Sequence, residues 1–288
     1  LPEQLTPQPT SPDFSICKLC GDPSALPTYL LGATRLYTCP ACDFHSLDRL
    51  DPAAGDAPIR LTDRQERYIE DRLVENERRL VARMELVRKF IDLTGKNALD
   101  VGTGVGQFLQ LLKEGGAQVV GIEPSGLRRA FAQKRFGFHL HRESIEEPHW
   151  LEQKSSFDLI TLWDVLEHVN DPVATMQAAF DLLKPGGRLF LETDNRDCVS
   201  YRLSCLSYRL TRGKAPLLLP NFYRPVPYGH KQIFRPAQLY ALAARCGFEL
   251  IAALPGGESV GVKKPDYRPP GQIVLVARKP FQPDMTPA

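Results

Sequence analysis

The sequence predicts an α/β fold with a mostly parallel sheet, preceded by a small module built around cysteines. Three observations carry this expectation. Between about Asn97 and Asn195, short apolar runs suited to strands alternate with stretches of helical periodicity, the order that builds βαβ units. Within that span, LDVGTGVGQFLQLLKEGGAQVVGIE (Leu99 to Glu123) reads as strand, glycine turn, helix, strand and terminal acid. Ahead of it stand two C-x-x-C pairs, Cys17/Cys20 and Cys39/Cys42.

Composition bounds the rest. A chain of 288 residues is long enough to bury a full α/β core and still carry a small extra module. Its hydrophobic share of 43% and charged share of 24% are ordinary for a soluble globular protein. The net charge of +2 gives no global pull toward nucleic acid or membrane. No apolar run is long enough to cross a bilayer. The opening LPEQLTPQPTSPDF lacks a basic-then-apolar signal pattern, so a cytoplasmic protein is expected. Nothing in the composition fixes an oligomeric state.

In chain order, residues 1–13 are rich in Pro, Ser, Thr and Gln and bury too little to order themselves, so they are expected to form a flexible tail. Residues 14–50 hold the cysteines. The eighteen residues between Cys20 and Cys39 and the two C-x-x-C knuckles fit one tetrahedral zinc on Cys17, Cys20, Cys39 and Cys42. Thr28–Leu31 and Arg35–Thr38 complete a ribbon hairpin between them. A redox pair or unpaired thiols are the alternative, and His45 reads as a surface histidine. Residues 51–62, with Pro52, Gly55 and Pro58, form a linker. Thr62-Asp63 then opens a leading helix over 63–92, with Ile69, Leu73, Leu80, Met84, Val87 and Ile91 as its inward stripe.

The glycine turn is the first site of chemistry. Closely spaced glycines let a ligand approach the backbone, and the helix behind them offers unpaired N–H groups. Glu123, at the end of the next strand and about twenty residues on, can accept both hydroxyls of a ribose. The remaining elements follow: a helix at 127–136, a strand at 138–141, a strand at 157–163, a helix at 174–183 ended by Lys184-Pro185-Gly186-Gly187, and a strand at 188–193. An insert at 198–234 carries Val199, Leu203, Leu206 and Leu210 on one helix face, then a loop rich in proline and aromatics. From Cys198 to Phe248 there is no acid, against eight Lys and Arg. A helix at 238–246 and strands at 248–254 and 272–277 close the fold, and 281–288 is a second expected flexible tail.

The spacing Gly102-x-Gly104-x-Gly106, with Asp100 just before it, is one residue tighter than a dinucleotide turn. It resembles motif I of the class I S-adenosylmethionine (SAM) methyltransferases, here of the kind with an N-terminal four-cysteine zinc ribbon. FDLITLWDVLEHVNDP (Phe157 to Pro172) and LLKPGGRLFLETDN (Leu182 to Asn195) resemble the family's later strands in the same order. The resemblance implies a three-layer sandwich with a mostly parallel seven-stranded Rossmann-like sheet over 63–280. It places Asp100, Gly102, Thr103, Gly104 and Gly106 at the methionine end of SAM, and Glu123 with Pro124 at the ribose. Ser144 and Ile145, and more weakly Glu143, fall beside adenine. Trp163 and Asp164, at the end of the fourth strand, fall on the cofactor side.

The expected function is therefore methyl transfer from SAM to a small or carrier-bound metabolite, with O-methylation ahead of N- or C-methylation. The acid-free insert favours an anionic acceptor. His168 and His230 are the candidate bases, and Tyr228 and His230 the candidate acceptor contacts. GHKQIFRPAQL (Gly229 to Leu239) resembles the family segment that would face His230 to the methyl. Asp164, Glu167 and His168 resemble the E-V-x-E-H stretch of ubiquinone-pathway O-methyltransferases. That leaves three readings for His168: base or substrate contact, structural cap, or ligand of a divalent metal such as Mg2+. Two other functions stay open: an RNA methyltransferase gripping phosphate with ribbon and insert, and a non-catalytic SAM-binding scaffold or sensor.

Overall fold

The computed structural model describes residues 12–55, 60–254 and 271–281. The tails expected at 1–13 and 281–288 lie outside the described residues, apart from residues 12–13 and Phe281.

The leading helix α1 spans Asp63–Phe90. Thr62 caps it through a reciprocal capping box with Gln65, and Asp63 and Glu66 favour its positive end. Met84 and Val87 of its stripe are buried against the main sheet, and Leu80 packs beside them.

That sheet is built from β4 (Asn97–Val101), β5 (Gln118–Ile122), β6 (Phe157–Trp163), β7 (Leu183–Asp194), β9 (Glu249–Leu254) and β10 (Gln272–Arg278). Its order is β5-β4-β6-β7-β10-β9. The first four strands run parallel, and β10 lies antiparallel between β7 and β9. Helices α2 (Gln107–Glu114), α3 (Gly126–Phe136), α4 (Pro172–Leu182) and α7 (Pro236–Arg245) supply the outer layers. Parallel strands need such crossovers and are covered on both faces, which is why β6 reads as an unbroken apolar run.

The sheet has six strands among the described residues, where seven are expected from the resemblance. Residues 138–141 make only one bridge, Ile122 to His141, before the chain turns away. The turn leads into a 3-10 segment, Pro148–Gln153, that buries Trp150 in the core. The Lys184–Gly187 stretch also differs from expectation. Helix α4 ends at Leu182, and the stretch already belongs to β7, with a bulge between the pairs Phe157–Leu183 and Leu159–Arg188.

A second sheet contains β1 (Leu26–Leu31), β2 (Thr34–Thr38), β3 (His45–Leu47) and β8 (Gln232–Ile233), all antiparallel. Its first three strands come from the cysteine module and its last from the end of the insert. The module thus borrows a strand from a segment almost two hundred residues away, and its Leu19, Ala25 and Phe44 join the main core. Further bonds fasten it there. Arg196 donates to the Asp43 carbonyl and carboxylate, Gln238 to the Cys42 carbonyl (2.8 Å), and Arg245 to the Leu19 carbonyl (2.7 Å).

The insert forms α5 (Val199–Leu210) and the short α6 (Leu219–Phe222). The Val199, Leu203, Leu206 and Leu210 stripe faces solvent, while the opposite face packs Tyr201 and Tyr208 against the second sheet. Polar partners decide this choice. Buried His45 meets the Tyr201 hydroxyl through Nδ1 at 2.8 Å, and Tyr201 meets the Tyr223 hydroxyl at 2.8 Å. Tyrosine can be buried where its hydroxyl finds such a partner. His45 is therefore a core residue and not a surface one.

Candidate active site

Four strands deliver their carboxyl ends to one edge of the main sheet, where open α/β sheets bind ligands. The glycine loop follows β4. Gly102 takes φ 67°, and a Cβ there would stand 2.6 Å from Val165 Cγ2. Gly104 takes φ 62° and faces open space, with no atom within 4 Å of an added Cβ. The first glycine closes the turn against the β6 loop; the second leaves the approach clear for a ligand. Gly106 starts α2 in the left-handed conformation, leaving that helix's first N–H groups unpaired. The Thr103 hydroxyl is buried without a partner in the same loop.

Glu123 ends β5 and is 1% exposed. Its Oε2 accepts the Gly104 N–H at 2.8 Å and its Oε1 the Ser125 N–H at 2.9 Å. The Arg128 guanidinium lies 3.7 Å from Oε1. Burial raises the Glu123 pKa, while Arg128 and the two N–H groups oppose the rise. Each carboxylate oxygen keeps a lone pair for a further donor. Pro124, next in the chain, gives its carbonyl to Arg129 at 2.7 Å.

The other expected cofactor residues are divided between the interior and the surface. Asp100 is buried beneath the glycine loop, accepts the Thr161 hydroxyl at 2.5 Å, and has an unpartnered Oδ2. Burial pushes its pKa up to about 6. Ile145 is buried in the main core, and Ser144 is exposed at the loop surface. Trp163 packs between Phe108 and Phe190 with Arg83 over its ring. Asp164, at φ 55°, accepts Arg79 at 2.6 Å, Arg83 at 2.5 Å and Gln272 at 2.8 Å. Both arginines also reach Glu192, so Asp164 belongs to an ionic lock that holds α1 on the sheet. The Asp164–Glu167–His168 metal set is corrected accordingly: the side chains brought together are Glu167, His168 and His230, whose ligating atoms all lie within 4.8 Å of one another.

This second group lines the β6 and β7 ends. Glu167 is 1% exposed and accepts the Thr193 hydroxyl at 2.8 Å. Burial drives its pKa well up, and the Asp164 and Asp194 charges push the same way. Burial lowers His168 to about 4; the charge of His230 adds to this, and the Gly229 and Tyr228 backbone opposes it. The two imidazoles meet edge to face at 4.6 Å. Asp194, which sequence reasoning missed, closes the arrangement with Oδ2 3.3 Å from His230 Nδ1. Tyr228, half-buried at φ 54°, immediately precedes the Gly229-His230 turn.

Lys231 fixes His230 in place. Its ammonium is 1% exposed and donates to Asp51 at 2.6 Å and to the His168 carbonyl. Its N–H donates to the Glu167 carbonyl at 2.7 Å, and its carbonyl accepts the Leu47 N–H at 2.7 Å. Lys231 is thus not free to attract an anion. Nor are Arg235, which pairs with Asp43 and Asp197, and Arg245, which bonds the Leu19 carbonyl. Arg209 lies over the Tyr29 ring, and Arg202, Arg212, Lys214 and Arg224 are further exposed cations of the insert.

The four Sγ atoms of Cys17, Cys20, Cys39 and Cys42 lie within 4.8 Å of one another. The Cys17–Cys42 and Cys20–Cys39 separations are 3.6 and 3.7 Å. A disulfide needs about 2.05 Å, whereas four thiolates about 2.3 Å from one tetrahedral zinc stand roughly 3.8 Å apart.

A glycine loop over a strand end, a buried acid at the next strand and an open parallel-sheet edge define a SAM-dependent methyltransferase of the Rossmann-like class. The comparisons agree. A family model described as methyltransferase domain matches residues 67–253, and the chain belongs to that family. Among its relatives, the ubiquinone biosynthesis O-methyltransferase of Nitrosospira multiformis is 31% identical over 58% of this chain and 69% of its own. The protein of the same name from Xanthomonas euvesicatoria pv. vesicatoria is 34% identical over 58% and 69%. The PH0226 protein of Pyrococcus horikoshii shares the fold at 17% identity and a TM-score of 0.50, over 71% of this chain and 91% of its own. A chain from the complex of the Haloferax volcanii Trm112 methyltransferase activator with a methyltransferase does so at 15% and 0.51, over 76% and 95%. No helix among the described residues is long and apolar enough to cross a membrane.

Two outcomes are expected. Glu123→Ala should weaken SAM binding by about 1.5–3 kcal/mol, the loss of charge-assisted bonds; calorimetry on the folded variant checks this, and unchanged affinity contradicts it. Asp100 is raised from 3.8 to about 6 on folding. Its favourable contribution is complete below about pH 4 and is lost as pH rises through about 6, because the folded state holds the proton more tightly. Asp100→Asn should therefore gain stability relative to wild type from pH 4 to 7, by up to roughly 3 kcal/mol, followed by urea unfolding at several pH values.

Proposed function

We propose that the chain methylates a hydroxyl oxygen of a small or carrier-bound acceptor, with His230 as the base. The observation that carries this reading is the His230–Asp194 pair at the mouth, beside Glu167 and His168. Bound SAM supplies a sulfonium methyl open to in-line displacement. The chain's own work is to place the acceptor, exclude water and remove one proton. His230 takes that proton at Nε2, and the Asp194 carboxylate, 3.3 Å from Nδ1, favours the imidazolium that results. His168, lowered to about 4, stays neutral at physiological pH and orients the acceptor. Burial beside Asp164 and Asp194 raises the Glu167 pKa and so favours its protonated form. The names of the relatives support oxygen as the accepting atom. The exposed arginines of the insert support an anionic acceptor.

The residues proposed for SAM are the glycine loop, Glu123 and the adenine-side loop at Ser144 and Ile145. The residues proposed for one closed structural zinc are the four cysteines. The domain reading is proposed with them: a ribbon at 14–50, a linker at 51–62 and a methyltransferase domain at 63–280 with the insert at 198–234. A second reading rests on the same cluster: Glu167, His168 and His230 stand close enough to share one divalent cation.

With a hydroxyl acceptor, His230→Ala should lower kcat by about 10²–10⁴-fold while SAM affinity holds. Asp194→Asn should fall short of that loss, since Asp194 acts through His230. Chelator-sensitive activity restored by Mg2+ would instead support the shared cation. Full turnover in His230→Ala, with no chelator effect, overturns both readings. For the ribbon, elemental analysis should find about one zinc per chain. Cys39→Ser should lose the metal and reduce kcat more than SAM affinity, because β3 holds β8 and with it His230.

A further inference from the structure

Away from the acceptor mouth stands another group of ligating side chains, of which the family resemblance uses only Glu143, and that weakly, beside adenine. His141, Glu143 and His149 lie on the loop that follows β5's last bridge, with one ligating atom from each within 4.8 Å of the others. His141 Nδ1 stands 3.9 Å from Glu143 Oε2. Ligands bound about 2.1 Å from one tetrahedral ion stand roughly 3.4 Å apart, so a small side-chain rotation closes the set.

The group is held by its surroundings. Trp150, 2% exposed, packs edge-on against both imidazoles, each ring centroid 5.0 Å away. The two imidazoles are themselves 5.1 Å apart. The main chain of His141 is pinned at both ends: its N–H donates to the Gly121 carbonyl and its carbonyl accepts the Glu123 N–H. Arg142 Nε takes Glu143 Oε1 at 3.1 Å, which leaves Oε2 turned to His141. His149 is exposed, so one face stays open to water ligands. Burial and the neighbouring His149 also lower the His141 pKa, which favours the neutral, ligating imidazole.

We propose that His141, Glu143 and His149 form a divalent transition-metal site on the rim of the cofactor cleft. Two imidazoles and one carboxylate suit Zn2+, Ni2+, Co2+ or Cu2+, and suit Mg2+ and Ca2+ poorly, since those ions take all-oxygen shells. Occupancy would stiffen residues 141–149, whose first member pairs with Gly121 and Glu123 through its main chain.

The test titrates Ni2+ into the untagged full chain with its cysteine metal in place, reading tryptophan fluorescence. Trp150 and Trp163 are the chain's two tryptophans, and Trp163 is packed in the other core layer with Phe108 and Phe190. Saturable quenching at one Ni2+ per chain, with a Kd of about 10 µM or tighter, is expected, reversed by Zn2+ and not by equal Mg2+. Trp150→Phe should abolish the quench while calorimetry still records binding. His149→Ala, at an exposed position, and Glu143→Gln should each weaken binding tenfold or more. His230→Ala and Cys39→Ser should leave it intact, which separates this site from the acceptor cluster and the cysteines. Binding only at millimolar Ni2+, or binding indifferent to His149→Ala, overturns the proposal.

Discussion

The arrangement of the acceptor side depends on one buried ammonium. Lys231 reaches the linker through Asp51, the β6 loop through the His168 carbonyl, and the ribbon through its main chain. A buried lysine is costly unless its donors are paired, and removing one partner leaves an uncompensated charge. Separation of the linker or of the β6 loop therefore strands the charge, while the ribbon is held by the Leu47–Lys231 main-chain bond. His230 is the adjacent residue, so its place is set by the same contacts. The cysteine module is thus tied to the position of His230: β3 pairs with β8, and β8 begins at the residue after Lys231.

Two kinds of electrostatics divide the sheet edge. On the cofactor side Glu123 is buried but answered by two N–H groups and a nearby arginine. On the acceptor side burial is answered by proton placement: Glu167 is driven up, His168 down, and the Asp194 pKa is raised by burial and opposed by His230. Exclusion of water from such an edge suits a reaction in which a cationic methyl donor becomes neutral, because water there would compete for the nucleophile.

The leading helix is held by charge as well as by its apolar stripe. Arg79 and Arg83 carry it onto Asp164 and Glu192, and Arg83 also covers the Trp163 ring. The acid that begins the Asp164–His168 stretch therefore fastens a helix, and the side chains that gather at the sheet edge are Glu167, His168 and His230. Family likeness drew attention to this stretch, but which of its side chains meet which partners follows from the arginines that α1 brings.

Sequence by itself determined what depends on neighbours along the chain. The Thr62 cap, the apolar run of Phe157–Trp163, the glycine turn and the Glu123 strand end are local: capping, periodicity and φ freedom act within a few residues. The cysteine knuckles were legible for the same reason. Tertiary structure alone decided which distant surfaces meet. Asp164 and Arg79 are 85 residues apart in the chain, and His45 and Tyr201 are 156 apart. Nothing in either segment's periodicity announces such a partner. The missing seventh strand is of this kind too: residues 138–141 have strand character, but burying Trp150 takes the chain away after one bridge. The outward turn of the α5 leucines follows likewise, since Tyr201 finds its hydrogen bonds only once the ribbon lies beneath it. A polar group's preference for burial is set by the partner waiting there, and that partner is fixed only when the chain has folded.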